Sequence, residues 1–220
     1  MKKLITFIFV GTAFLTSCNK NIDRLPLNNV AVQDYYTNAA EVQTALNGCY
    51  AGLRATIAEE WKLTELRSDI AIMGNAGSKS VPNRELSDLD QFIPSTSLTA
   101  IYTYWSANYA NIRNVNMILD ALDINYSDAT GALTVGTTSK VTITAAELKE
   151  IASQAAFLRA YHYFNMVRLF GGVFLVHEPI TGQQAIDMNR VSANDIYKLI
   201  IADLQYASTC LLYTSPSPRD

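Results

Sequence analysis

The stretch from residue 154 to residue 172, QAAFLRAYHYFNMVRLFGG, constrains the fold of this chain more than any other. Small side chains recur here three or four residues apart and share one helical face, which a second helix can approach closely. They are Ala152, Ala155, Ala156 and Ala160. Large apolar side chains occupy the other faces of the helix. Leaving one of them exposed to water would forgo about 1.5–3 kcal/mol of favourable burial free energy. The pattern therefore predicts a central helix that lies between other helices.

Two arginines, Arg159 and Arg168, interrupt the apolar pattern. A mostly buried guanidinium needs carboxylate or carbonyl partners to offset its desolvation, so we expect both arginines to be structural. Gly171 and Gly172 supply the permissive backbone that ends a helix, and residues 173–176 are predicted to leave it in extended form.

This stretch resembles the signature of the SusD/RagB family, the surface glycan-binding lipoproteins of Bacteroidota. The matching run, [E/Q]-A-x-F-L-R-A-x-x-Y-F-x-x-V-R-x-[F/Y]-G-G-V, extends from Gln154 to Val173. Further matches are Asn47-Gly48-Cys49-Tyr50, Leu66-Arg67-Ser68-Asp69, the aromatic helix around Trp105 and Tyr109, and residues 192–207. The resemblance covers residues 25–207 and implies an all-α fold, a superhelix of tetratricopeptide-like helix pairs. It also implies that this chain is the amino-terminal part of a longer one.

The function that the resemblance implies is nutrient capture at the cell surface. A protein of this family is expected to lie on the exterior of the outer membrane, to bind glycans or other oligomeric nutrients, and to deliver them to a SusC-like TonB-dependent transporter. The resemblance implies a binding role, and we expect no cofactor.

The amino terminus has the pattern of a lipoprotein signal. Lys2 and Lys3 precede an apolar run over residues 4–15, which is shorter than the roughly 20 residues of a spanning helix. The run ends in Leu15-Thr16-Ser17-Cys18, a lipobox. We therefore expect residues 1–17 to be a signal peptide and Cys18 to carry diacylglycerol and an acyl chain such as palmitate, which anchors the protein stably without crossing the membrane.

Helical periodicity organises the rest of the chain. Residues 18–37 are predicted to be a tether, and residues 38–210 an incomplete helical domain with five helices. The helices are expected over residues 38–53, 59–72, 98–122, 144–170 and 192–207, with long loops at 74–97, 131–142 and 177–189. We expect Gly48 to mark a close helix contact and Trp105 and Tyr109 to be core residues. Residues 211–220 resemble translated sequencing adapter and are treated as non-native.

Composition and motifs exclude several other functions. A formal net charge of −3 with no basic patch argues against nucleic acid, and the three cysteines and two histidines lack metal-ligand spacing. Residues 123–128 imitate a calcium loop, but Asp128 stands where its glycine belongs and Thr134 where its closing glutamate belongs. The sequence therefore predicts no metal site.

Two alternative functions remain open. A tethered glycoside hydrolase needs two carboxylates across a sugar bond, but Glu59 and Glu60 are adjacent on a helix, and Asp88 and Asp90 lie in a loop. No nucleophile elbow, phosphate loop or HExxH motif is present, so we expect no enzyme. A peptide-binding adaptor of helical repeats fits the helices but does not account for the lipobox.

The predicted loop over residues 74–97 is the candidate ligand site. A sugar is recognised by an aromatic face for its C–H surface and by planar polar groups for its hydroxyls, held at the edge of a rigid scaffold. This loop offers both. Phe92 is the candidate face, and Asn75, Arg84 and Asp88 are the candidate hydrogen-bonding groups.

The lipobox makes a prediction about Cys18. Replacing Cys18 with Ala removes the thiol that accepts the lipid, so the variant should take up no label from a fatty-acid analogue and should leave the outer-membrane fraction. A Cys49→Ala variant is the matched control and should behave as the wild type. Labelling that persists in the Cys18 variant would show that the protein is not lipidated there.

Overall fold

The computed structural model describes residues 35–73, 84–93, 95 and 98–210. The predicted signal peptide, Cys18, Asn75 and residues 211–220 lie outside the described residues, so the statements made about them stay predictions. None of the described helices is both long enough and apolar enough to cross a membrane.

The described residues form six α-helices and one small antiparallel sheet, which confirms the predicted all-α class. The helices are α1 (Ala39–Leu63), α2 (Arg84–Asp90), α3 (Thr99–Ala121), α4 (Ala145–Phe170), α5 (Gly182–Asp187) and α6 (Ala193–Cys210). A 3₁₀ turn, Glu65–Arg67, follows α1. The strands β1 (Ile124–Ser127) and β2 (Ala132–Val135) pair with Ile124 opposite Val135.

A capping box and two glycines set the ends of α4. The Thr144 hydroxyl accepts from the Glu147 amide at 3.3 Å, and the Glu147 carboxylate accepts from the Thr144 amide at 3.0 Å, which completes a capping box. At the other end Gly171 has φ 70°, and its amide donates to the Val167 carbonyl at 2.9 Å. Gly172 lies so close to the Val191 carbonyl that a Cβ would overlap it. Both glycines are therefore required.

Several predicted boundaries are wrong. One continuous helix, α1, replaces the first two predicted helices, because its middle residues are helix formers with no proline to break them. The predicted loops contain α2, β2 and α5, which are too short to show a clear period. The hairpin also depends on Asp123, which has φ 58° and whose carboxylate accepts from the Thr138 amide at 2.7 Å.

The small face of α4 is packed as predicted, but the helix is not enclosed on all sides. The four small residues are at most 1% exposed and lie in the core between α1, α3 and α6. They are Ala152, Ala155, Ala156 and Ala160. Phe157 and Phe164 are 42% and 41% exposed, and Arg168 is exposed beside them. These three side chains share a face of α4 that the described residues do not cover, so the expected structural burial of Arg168 is wrong.

Arg159 is fully buried and joins four parts of the fold. Its Nε and Nη2 donate to the two carboxylate oxygens of Asp203 on α6, at 2.8 and 2.7 Å. Its Nη1 donates to the Asn116 side chain on α3 at 3.0 Å and to the His177 carbonyl at 2.9 Å. Burial raises the pKa of Asp203, and the Arg159 guanidinium opposes that shift by stabilising the carboxylate. The predicted structural role of Arg159 is confirmed.

A second polar group lies buried between α1, α3 and α4. The two ring nitrogens of His162 lie 2.8 Å from the side chains of Asn108 and Asn111, and Asn111 also donates to the Cys49 carbonyl at 3.0 Å. Burial lowers the pKa of His162 to about 4, so the ring is neutral near pH 7. A Cβ on Gly52 would overlap Asn111, whereas Gly48 has open space around it. The close helix contact is therefore at Gly52, and the expectation for Gly48 is wrong.

The burial of Arg159 makes a prediction about stability. Arg159→Met should lower the free energy of unfolding by about 3–5 kcal/mol, because it leaves the Asp203 carboxylate buried without a counter-charge. The double variant Arg159→Met, Asp203→Leu should recover much of that loss. Urea unfolding followed by circular dichroism measures both, with Arg54→Met on the exposed surface as control. A double variant less stable than either single variant would show that the two charges are not coupled.

Candidate functional site

A cavity of about 250 Å³ opens where α2 meets the ends of α1, α3 and α4. Its floor is apolar, and its rim carries one basic, one acidic and one exposed aromatic side chain. The lining residues are Leu63, Arg67, Asp88, Leu89, Phe92, Ile93, Leu98, Ile101, Leu169 and Phe170. The cavity therefore combines an apolar surface with charged hydrogen-bonding groups at one edge, which is the composition of a small-molecule site.

Two carboxylates of α2 bind backbone amides of neighbouring segments. Glu85 accepts from the Ala100 amide at 3.1 Å, and Asp90 accepts from the Met73 amide at 3.0 Å. The first bond serves as the cap of α3, because the Leu98 side chain at its N-cap cannot accept a hydrogen bond. These contacts hold α2 on the scaffold although the helix has only seven residues.

Phe92 ends α2 in a conformation that usually belongs to glycine. Its φ is 55°, its amide donates to the Leu89 carbonyl at 3.2 Å, and the Ile93 amide donates to the Asp88 carbonyl at 2.8 Å. This pair of bonds is a Schellman motif with Phe92 at the left-handed position. The arrangement leaves Phe92 59% exposed at the cavity edge. This strained and exposed position makes Phe92 a candidate for a functional role.

Two arginine side chains lie beside the ring of Phe92 and the nearby Asp88 carboxylate. The guanidinium carbon of Arg67 lies 5.7 Å from the centroid of the Phe92 ring. Arg84, which is largely exposed, places its Nε 3.7 Å from the Asp88 carboxylate. An ion pair in this exposed geometry contributes little to stability, so both groups remain able to bind a ligand.

Three of the four residues predicted from the loop thus lie together. Asp88 and Phe92 line the cavity, Arg84 contacts Asp88, and Asn75 lies outside the described residues. Sequence reasoning missed Arg67, because a helix was expected to run through it to residue 72. The chain instead leaves α1 at Leu63, and the 3₁₀ turn brings Arg67 to the cavity. The sequence signal that could have indicated Arg67 was its position shortly before the predicted loop.

A larger cavity of about 670 Å³ lies between α3 and the segment that contains α5. Trp105 and Tyr109 line it, and both are half-buried rather than fully in the core as predicted. The Tyr109 hydroxyl donates to the Phe174 carbonyl at 2.9 Å, and burial raises the pKa of this tyrosine. The Arg190 guanidinium covers the Trp105 ring at 5.2 Å from its centroid. The Arg190 guanidinium therefore occupies one face of the Trp105 ring.

Comparison with protein families gives one match over most of the chain. A SusD-like family model, described as "Starch-binding associating with outer membrane", matches residues 27–218. Among curated proteins, a SusD-like protein of Formosa agariphila is 28% identical over 216 residues, which are 96% of this chain and 38% of that protein. A SusD-like protein of Bacteroides ovatus is 26% identical over 93% of this chain and 34% of its own length.

Solved structures share the fold. A SusD-like protein of Bacteroides fragilis superposes with a TM-score of 0.62 at 23% identity, over 90% of this chain and 34% of that one. A laminarin-binding SusD-like protein superposes with a TM-score of 0.64 at 22% identity, over 80% of this chain and 35% of that one. The chain thus spans little more than a third of the length of the relatives that it matches.

The left-handed conformation of Phe92 leads to a prediction that distinguishes the steric cost of the backbone from the loss of the ring's packing contacts. Phe92→Gly and Phe92→Ala both remove the ring, but only glycine adopts this conformation without a steric cost. The Gly variant should therefore be more stable than the Ala variant by about 1 kcal/mol in urea unfolding. An Ala variant as stable as the Gly variant would show that residue 92 does not hold this conformation in solution.

Proposed function

This chain belongs to the SusD-like family, and on that premise we propose that it is the amino-terminal part of an outer-membrane lipoprotein that binds glycans. The cavity beside α2 is proposed to contribute one side of the glycan site. The observation that supports this most directly is the exposed ring of Phe92, held in a strained backbone conformation at a cavity that Arg67 and Asp88 also line.

The chemistry of the cavity suits a sugar better than an apolar or a highly charged ligand. The face of an aromatic ring packs against the C–H surface of a pyranose, and the Phe92 ring is more than half exposed. A carboxylate accepts hydrogen bonds from sugar hydroxyls and a guanidinium donates to them, which are the roles open to Asp88 and Arg67. Because the rim carries one basic and one acidic group, it favours a ligand without net charge.

The proposed cellular context follows from the family and the amino terminus together. The family description associates its members with the outer membrane, and the lipobox at Cys18 supplies a means of anchoring. We propose that the protein faces the cell exterior and delivers glycan to a SusC-like TonB-dependent transporter. We also propose that it is not an enzyme, because one carboxylate of each candidate pair has a structural partner: Glu59 pairs with Lys62 at 2.8 Å, and Asp90 accepts from the Met73 amide.

Calorimetry on the intact protein tests this function. We expect binding of at least one member of a panel of starch-derived and laminarin-derived oligosaccharides, without turnover. Phe92→Ala, Arg84→Ala and Arg67→Ala should each weaken that binding by about 1 kcal/mol or more, which is about fivefold, because each removes a contact to the sugar.

Phe157→Ala is the matched control, since Phe157 is an exposed phenylalanine on α4 outside the cavity. It should leave the affinity unchanged. Affinities that stay within about 0.5 kcal/mol of wild type for all three site variants would place the glycan contacts elsewhere in the intact protein. A wild-type protein that binds no oligosaccharide of the panel would contradict the function itself.

A further inference from the structure

A third, smaller cavity lies between α1 and α4 and is lined mainly by polar side chains. Its volume is about 140 Å³, which is several times the roughly 30 Å³ that one water molecule occupies in the liquid. The lining residues are Glu60, Leu63, Thr64, Tyr104, Asn165, Arg168 and Leu169. No role has been assigned above to this cavity, which differs from its neighbours in offering a carboxylate, an amide, a guanidinium and two hydroxyls at close quarters.

The first observation that indicates a ligand is the state of Asn165. This side chain is only 8% exposed and lines the cavity, yet its amide makes no hydrogen bond to any other described residue. The amide atoms still reach solvent, so water can bind them when no ligand is present. The amide of Asn165 is therefore available to a ligand in the cavity.

The second observation is that opposite charges face the same small space without forming an ion pair. Glu60 on α1 and Arg168 on α4 both line the cavity, and neither makes a salt bridge with any described residue. The Arg168 guanidinium instead lies over the Phe164 ring, 5.1 Å from its centroid. A guanidinium stacked on a ring keeps its N–H groups free in the guanidinium plane, where they can donate to a ligand.

The remaining polar groups extend this set. The Thr64 hydroxyl donates to the Glu60 carbonyl at 2.9 Å, which leaves its oxygen able to accept. Tyr104 is almost fully buried, with its side chain at the cavity wall. Burial, together with the nearby Glu60 carboxylate, raises the pKa of Tyr104 to about 12, so its hydroxyl is protonated near pH 7. The cavity thus holds both donors and acceptors and has no net charge.

The position of this polar cavity relates it to the proposed glycan site. Leu63 and Leu169 line both cavities, so the two cavities adjoin at this pair of leucines. We propose that the polar cavity is a second sugar subsite, which takes one further ring of an oligosaccharide whose neighbouring rings occupy the cavity beside Phe92. In this arrangement Glu60 accepts from hydroxyls, Arg168 and Asn165 bind the adjacent oxygens, and the leucine pair lies beneath the glycosidic linkage. This inference rests on the proposed function.

Chain-length dependence of binding tests the subsite. The probes are maltose with maltohexaose and laminaribiose with laminarihexaose, measured by calorimetry on the intact protein. The wild type should bind one hexasaccharide at least tenfold more tightly than its disaccharide. Glu60→Gln and Asn165→Leu should each weaken hexasaccharide binding about tenfold, the effect of losing a hydrogen bond to a charged or buried group, and change disaccharide binding less than twofold. Arg168→Gln should behave in the same way, and Arg168→Lys should recover part of the loss.

Glu150→Gln, a change at an exposed carboxylate on α4 outside both cavities, is the matched control and should leave both affinities unchanged. Thermal unfolding establishes whether each variant is folded. If Asn165→Leu is not folded, Glu60→Gln alone decides the test. Hexasaccharide affinities that equal wild type in Glu60→Gln and Arg168→Gln overturn the subsite and leave the proposed function intact. Equal losses for both lengths also overturn it. A wild type that binds none of the four probes overturns the proposed function and the subsite together.

Discussion

The buried pair of Arg159 and Asp203 is the interaction on which the rest of the helical arrangement depends. Both side chains are inaccessible to solvent, and two hydrogen bonds of 2.7 and 2.8 Å join them. Buried charges of this kind are stable only when every donor and acceptor is satisfied, so the pair fixes the position of α6 against α4 more strictly than apolar packing does. The remaining guanidinium donor binds Asn116 and the His177 carbonyl, which adds α3 and the segment after α4 to the same network.

The candidate site depends on this network through the end of α4. The backbone of Val176 is held by the Tyr163 hydroxyl and by Asn116, so the chain leaves Gly171 in one direction. Leu169 and Phe170, in the last turn of α4 just before this exit, line the cavity beside α2. The two carboxylate contacts of α2 then fix the site side chains of α2 and of Phe92 relative to the long helices. A site on a short helix thereby gains the positional precision of the long ones.

The features of α4 were predictable because they are local. Its small-residue face, its capping box and its terminal glycine each depend on residues within one or two helical turns, and the sequence displays them directly. The partner of Arg159 was not predictable in the same way: the need for a carboxylate followed from desolvation, but Asp203 lies 44 residues away and only the packing of α6 selects it. The hairpin and the turn that carries Arg67 also depend on tertiary contacts. Asp88 and Phe92 were predicted as site residues because sugar chemistry restricts the residue types, whereas the cavity that both line required the structure.

A crystal structure of the intact protein with a bound oligosaccharide tests this account most directly. The account predicts a sugar ring stacked on Phe92, with hydroxyls within hydrogen-bonding distance of Asp88 and Arg67, and Arg159 paired with Asp203 beneath. An oligosaccharide bound elsewhere in the protein, with no contact to α2 or to the 3₁₀ turn that carries Arg67, would contradict it.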